Sequence, residues 1–317
     1  MSDGTGRPVE IIGVASGAGA NRVGIEEGTG AMLAAGFVEA LRAKGVGVLH
    51  DPSSDPPKLP WTEEAISVEH SNGEGTVRAA GMARERVRAA IEAGRIPVLL
   101  GGDCTIEVGA VAGLLDAGRT VGLVYVDAHA DLNVPGAVPE AKGEFALSLD
   151  WMGVAHMLDM DGAYRPLAAI GPRRPLLTPD RVGVLGWVEE QASEFEKERI
   201  GALDLHVLGW ERVLGDPEGA ARAVLGGFGV KVDALAVHFD VDVLDQRETE
   251  VADTSASRGI GLTRDAARAV LATLARDPRF ASLTIAEVNP TLGDRRDGVA
   301  AVVGLVADAL AGSGSGT

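Results

Sequence analysis

The stretch Val121-Gly122-Leu123-Val124-Tyr125-Val126-Asp127-Ala128-His129-Ala130-Asp131 decides how the chain folds. Six uncharged, mostly apolar residues lead straight into three metal-competent side chains, Asp127, His129 and Asp131. An apolar run of this length bounded by polar turn formers reads as a strand buried on both faces, the usual situation of a strand in a parallel sheet.

Outward from this stretch the pattern repeats. Ile96-Pro97-Val98-Leu99-Leu100 is followed by Gly101-Gly102-Asp103-Cys104, and Ala234-Leu235-Ala236-Val237 by His238-Phe239-Asp240-Val241-Asp242. Strands are expected at 9–14, 46–50, 96–100, 121–126, 181–187, 205–208, 234–239 and 283–286, with helices between most of them, including 30–43 and the Arg/Ala-rich 82–93. Residues 51–61, broken by Pro52, Pro56, Pro57 and Pro60, read as a loop. This rhythm predicts an α/β fold of three layers, a mainly parallel sheet with helices on both faces. With neither repeat nor linker, one domain is expected over 1–311. The Gly/Ser tail 312–317 is expected to be disordered.

Composition narrows the partners. The hydrophobic content of 46% is ample for a large core, and with aromatics at only 4% that core must be built from Ala, Val, Leu and Ile. A formal charge of −17 disfavours nucleic acid and anionic membranes, and is compatible with a small cationic ligand. Cys104 is the single cysteine, so no intramolecular disulfide exists. Asp3 and Arg7 stand where a signal peptide needs an apolar run, and no stretch approaches a membrane span, so a cytoplasmic location is expected.

In open parallel sheets ligands bind beyond the carboxyl ends of the strands, where these polar groups cluster. The side-chain period of two places Asp127 with His129, and Asp240 with Asp242, on common faces while the strand continues. Each Asp alone reads as a turn former or helix cap. Together, four carboxylates would raise one another's pKa, and a bound dication removes that cost. Oxygen and imidazole donors suit Mn²⁺ or a similar ion.

Gly-Gly-Asp-Cys at 101–104, Asp-Ala-His-Ala-Asp at 127–131, Phe-Asp-Val-Asp-Val-Leu-Asp at 239–245 and Glu-Val-Asn-Pro at 287–290 resemble, in order, the four motifs of the ureohydrolases. That superfamily includes arginase, agmatinase and formiminoglutamase. Residues 13–28 look like its N-terminal turn, so the resemblance runs from about Val9 to Leu310. It implies the arginase/deacetylase-like fold and two Mn²⁺ ions at the carboxyl edge of the sheet. By this resemblance Asp127 and Asp240 bridge both ions, Asp131 and the position of Cys104 complete one, and His129 and Asp242 complete the other. A hydroxide between the ions attacks a guanidinium carbon, Asp131 takes its proton, and Glu287 holds the cationic group. A homo-oligomer, trimer or hexamer, is also implied.

The sequence departs from the family in several places. Cys104 stands where the family has His. Read as a thiolate ligand it favours Zn²⁺, Fe²⁺, Co²⁺ or Ni²⁺ over Mn²⁺; read blandly it is a small buried thiol beside a weakened site. Asp150 replaces the His of an arginase His-Gly motif and is expected at the pocket mouth, in a substrate-binding or catalytic role. Residues 135–145 lack the Ser/Asn chemistry with which arginases read an α-amino acid. Glu189 is the candidate acidic contact, against the alternative of a solvated carboxylate. Gln246 follows Asp245 where Pro is usual.

Two functions stay open at this point. The first is a hydrolase of linear amidines or guanidines, arginase- or agmatinase-like, acting on a small cationic substrate and releasing a urea-type product. The second is a catalytically impaired relative that binds or regulates. A single-metal deacylase of the same fold is disfavoured by the Asp240/Asp242 pair and Glu287.

Overall fold

Eight strands form one sheet in the computed structural model: β1 (Val9–Gly13), β2 (Val48–His50), β3 (Ile96–Leu100), β4 (Val121–Val126), β5 (Val182–Trp187), β6 (His206–Gly209), β7 (Ala234–Asp240) and β8 (Phe280–Ala286). Their order is β2-β1-β3-β8-β7-β4-β5-β6, and every pairing is parallel. The structure describes residues 7–62, 71–138, 148–228, 232–252, 259–292 and 296–311. The Gly/Ser tail and residues 139–145 of the 135–145 segment lie outside these.

All residues of β3, β4, β7 and β8 are buried, which accounts for their unbroken apolar runs. Alternation then divides the core in two. Val124 and Val126 join Val98, Val237 and Phe239 beneath helices Arg264–Ala275 and Arg296–Leu310. Leu123 and Tyr125 join Ile12, Leu99 and Ala236 beneath helices Ser71–Glu92 and Ile106–Asp116. Two apolar layers sandwiching one sheet are the three-layer architecture that the sequence implies.

Element boundaries moved where tertiary packing overrode local signals. The helix expected at 30–43 is two, Gly28–Ala34 and Phe37–Ala43, broken at Gly36 with φ 84°. The helix expected at 82–93 starts at Ser71, through glycines that should weaken it. Its neighbour Ile106–Asp116 approaches so closely that a Cβ on Gly109 would lie 2.0 Å from the Ala80 carbonyl oxygen. Small residues permit this backbone-to-backbone contact, whose burial offsets the poor helix propensity.

The strand order places the chemistry. β3 and β4 are consecutive in the chain, but β8 and β7 lie between them in the sheet. The four strands β3, β8, β7 and β4 are therefore contiguous, and each ends in one of the four polar motifs. Reversal of winding direction here opens a crevice at their carboxyl ends.

Candidate metal centre

Within that crevice each aspartate of the two strand-end pairs has two tasks. Asp127 Oδ1 accepts the His129 backbone N–H at 2.6 Å, and Asp240 Oδ1 accepts the Asp242 N–H at 2.7 Å. These are turn-forming bonds of the kind short acidic side chains make after strands. The second oxygens face inward. Asp240 Oδ2 accepts from Cys104 Sγ at 3.0 Å, while Asp127 Oδ2 is buried with no hydrogen-bond partner. The turn-former reading and the ligand reading thus apply to different oxygens of one carboxylate.

Two groups of donors result. Cys104, Asp127, His238 and Asp240 form one; Asp127, His129 and Asp242 form the other; within each group the ligand atoms lie within 4.8 Å of one another. Asp127 belongs to both. His129 Nδ1 sits 3.0 Å from Asp242 Oδ2 and 3.5 Å from Asp127 Oδ1. The Ala128 N–H also donates to Asp242 Oδ1, at 3.3 Å.

The remaining sequence-selected residues are distributed around these groups. Asp131, with φ 51°, accepts the Tyr125 hydroxyl on Oδ2 at 2.6 Å and belongs to neither group. Glu287, with φ 63°, accepts the Cys104 backbone N–H on Oε1 at 3.0 Å, and its own N–H donates to the Gly102 carbonyl. Left-handed backbone at two non-glycine residues of one site marks stored strain of the sort found where side-chain aim matters. Asp150 begins a short turn, Asp150–Met152, where burial and then the charge of Asp103 push its pKa up to about 7. Glu189 is exposed on the turn after β5.

Three contributors escaped the sequence reading. His238 stands two residues before Asp240, so the period of two that paired Asp240 with Asp242 also puts His238 on that face. Glu107 lies in the first turn of helix Ile106–Asp116 and is fully buried. Glu196, from helix Glu194–Ala202, accepts the Ala130 N–H at 3.2 Å, the Leu132 N–H at 3.4 Å, Asn133 Nδ2 at 3.4 Å and Trp187 Nε1 at 3.1 Å. It braces the loop that carries His129 and Asp131, and no local pattern announces such a brace.

The electrostatics call for a cation. Burial, then the charge of Asp242, lifts Asp127 to about 6. Burial followed by neighbouring carboxylates holds Asp131 and Asp240 well above the usual carboxylate range, and holds the Cys104 thiol well above its ordinary value. Burial opposes charge on His129, yet Asp242 and Asp127 raise its pKa well above the ordinary imidazole. Four acidic groups crowded together, an unpartnered Asp127 oxygen and a donor set of O, N and S fit divalent metal, whose charge reverses each of these shifts.

Comparison with known proteins bears on the chain as a whole. The model of the family described as "Arginase family" matches residues 7–312. The arginase of Bacillus caldovelox is 27% identical over 313 residues, spanning 95% of this chain and 97% of that protein. Among solved structures, Bacillus subtilis arginase superposes with a TM-score of 0.81 at 21% identity, covering 96% of this chain and 98% of that one. Formimidoylglutamase of B. subtilis superposes at 0.72 with 18% identity, covering 99% and 89%. These likenesses at low identity establish the shared fold.

Proposed function

The chain belongs to the arginase family, and from that premise we propose that it is a binuclear-metal hydrolase of C–N bonds in small linear guanidines or amidines. The observation that carries this reading is Asp127: one fully buried carboxylate shared by two donor groups at the switch point of a parallel sheet. Cys104 and Asp240 would hold one ion with Asp127, and His129 and Asp242 would hold the other with it. Paired divalent ions, when bound, lower the pKa of water and polarise the substrate's planar carbon.

The chain's own residues supply the remainder. Glu287 presents a carboxylate whose Oε1 is fixed by the Cys104 N–H, suited to charge-assisted hydrogen bonds with a guanidinium. Asp131, kept on a proton-accepting heading by Tyr125, takes the proton released on attack and returns it to the leaving nitrogen. Asp127, Asp131, Asp240, Asp242 and Glu287 are all buried, where charges interact more strongly than they do in water. The net charge of −17 favours a cationic substrate on approach. Mn²⁺ in at least one site, a homo-oligomeric assembly and a cytoplasmic location complete the proposal. Among the described residues no helix is long and apolar enough to cross a membrane.

Elemental analysis after dialysis against Mn²⁺, Zn²⁺, Co²⁺ and Ni²⁺, beside a urea assay on agmatine, guanidinobutyrate, arginine and guanidine, tests the reading. Two ions per chain with urea release from one of these substrates is the expected result. Failure to retain any ion at saturating metal overturns it. Two ions with no turnover on any guanidine or amidine would replace it by the non-catalytic, binding alternative.

A further inference from the structure

His238 is fully buried on β7, two residues before the strand's last residue, Asp240. Its ring stacks on Tyr125 of the neighbouring strand, with centroids 4.0 Å apart and planes at 13°. The stack follows from the register of the sheet, in which Tyr125 and His238 are direct partners. Held in that plane, the two ring nitrogens point in different directions. Nε2 faces Cys104 Sγ at 3.2 Å and Asp127 Oδ2 at 4.0 Å. Nδ1 faces Glu107 Oε2 at 3.8 Å.

The polar groups here are incompletely satisfied. His238 Nδ1, both carboxylate oxygens of Glu107 and Asp127 Oδ2 are all buried without a hydrogen-bond partner. Buried polar atoms are normally paired, and four orphans around one imidazole need a common cause. The helix N-terminus eases the charge on Glu107 but leaves both its oxygens unmatched. A cation at the Nε2 end accounts for three of the four, Asp127 Oδ2, His238 Nδ1 and Glu107 Oε2. It would take Nε2, Sγ and Asp127 Oδ2 as ligands, fix the proton on Nδ1, and let Nδ1–H donate to Glu107 after a shift of about 0.8 Å into hydrogen-bond range. A carboxylate behind a metal-ligating histidine is the recurrent arrangement that orients the ring and raises its basicity.

We propose that His238 is the imidazole ligand of the ion at Cys104, that Glu107 is its positioning carboxylate, and that the resulting Cys104/His238/Asp127/Asp240 set selects a softer ion such as Zn²⁺. This rests on the binuclear reading above and deepens it. The resemblance led to an imidazole at position 104; the structure has a thiol there and brings an imidazole to the same place from β7. One sulfur, one nitrogen and two oxygens match four-coordinate zinc, whereas Asp127, His129 and Asp242 offer only oxygen and nitrogen, which accommodate Mn²⁺. The centre is therefore built for two unlike ions.

Cobalt is the probe. Full-length protein stripped of metal and titrated with Co²⁺ should develop a thiolate-to-cobalt charge-transfer band, assignable without ambiguity because the chain has one cysteine. Cys104→Ser should abolish the band. His238→Ala should move the visible cobalt bands and weaken that ion's binding by at least about tenfold, and Glu107→Gln should weaken it by roughly ten- to hundredfold with the band position kept. The second ion's affinity should stay within about twofold of wild type in Glu107→Gln, which a merely structural loss would not allow. Zinc X-ray absorption on the wild-type protein needs no variant and should show one sulfur at about 2.3 Å. Ions that bind without a sulfur in their shell, or with spectra indifferent to His238→Ala, overturn this assignment and leave the hydrolase reading standing. Retention of no ion at all overturns both.

Discussion

The Tyr125 hydroxyl donates to Asp131 Oδ2 at 2.6 Å, both groups being buried. The bond favours the ionised carboxylate, against burial and the charge of Asp127, which together raise the Asp131 pKa. Tyr125→Phe should therefore raise that pKa further and move the acidic limb of the pH–rate profile to higher pH. A fall in kcat of roughly tenfold is expected at unchanged metal content, the usual scale for losing a supporting hydrogen bond at a metal site. An unmoved acidic limb in the variant would remove Asp131 from the role of proton acceptor.

Asp127 is the donor common to both groups. Asp127→Ala should reduce the metal content from two ions per chain to none that survive dialysis, whereas Asp242→Ala should empty mainly the His129 side. Metal-to-protein ratios measured on the two variants decide the matter. Equal losses in both would argue against a shared ligand.

Glu287→Gln keeps the shape of the side chain and its acceptor for the Cys104 N–H but removes the charge. Hydrogen bonds to charged groups are worth about 1.5–3 kcal/mol, so kcat/KM for a cationic substrate should fall roughly ten- to hundredfold. Metal content and thermal stability should stay close to wild type. A drop in metal occupancy instead would make Glu287 part of the metal-holding set.

Glu196 accepts two backbone N–H groups and two side-chain donors under the metal-bearing loop. Glu196→Ala strands these buried donors and should cost about 2–4 kcal/mol of stability, read from the shift of the denaturant midpoint. Loss of turnover in protein that remains folded should accompany it, because the loop carrying His129 and Asp131 loses its brace.

His156 is buried, donates from Nδ1 to the Met152 carbonyl and accepts the Tyr164 N–H on Nε2. Both nitrogens are used by the neutral ring. Burial lowers its pKa to about 4, against an ordinary 6.5. The unfolded chain therefore binds the proton first, so His156 contributes its full stabilising effect above about pH 6.5 and loses it as pH falls towards 4. The contribution is about 3 kcal/mol at 1.36 kcal/mol per pH unit. Subtracting the stability profile of His156→Gln from that of wild type between pH 7 and 4 should isolate this slope, and a flat difference would contradict it.

What local sequence determined is the fold and the position of the chemistry along it. An apolar run long enough to be buried on both faces can hardly be anything but a central parallel strand, and ligands follow such strands at their carboxyl ends. Ile96–Leu100 and Val121–Val126 lie where their apolar runs put them, and Asp127, His129, Asp240 and Asp242 converge as their alternation implied. The register between β4 and β7 lies beyond local pattern, yet it stacks His238 on Tyr125 and turns Nε2 toward Cys104. The crossing of helix Ile106–Asp116 buries Glu107 behind that ring, and helix Glu194–Ala202 brings Glu196 beneath a loop more than sixty residues earlier. Asp150, expected at the pocket mouth from its position in a motif, is pushed up in pKa by burial and then by the charge of Asp103. Local periodicity fixes which face of an element a side chain occupies. Which donors then meet depends on contacts between segments separated by sixty to nearly two hundred residues, and only the closing of the sheet and its two helical layers decides those.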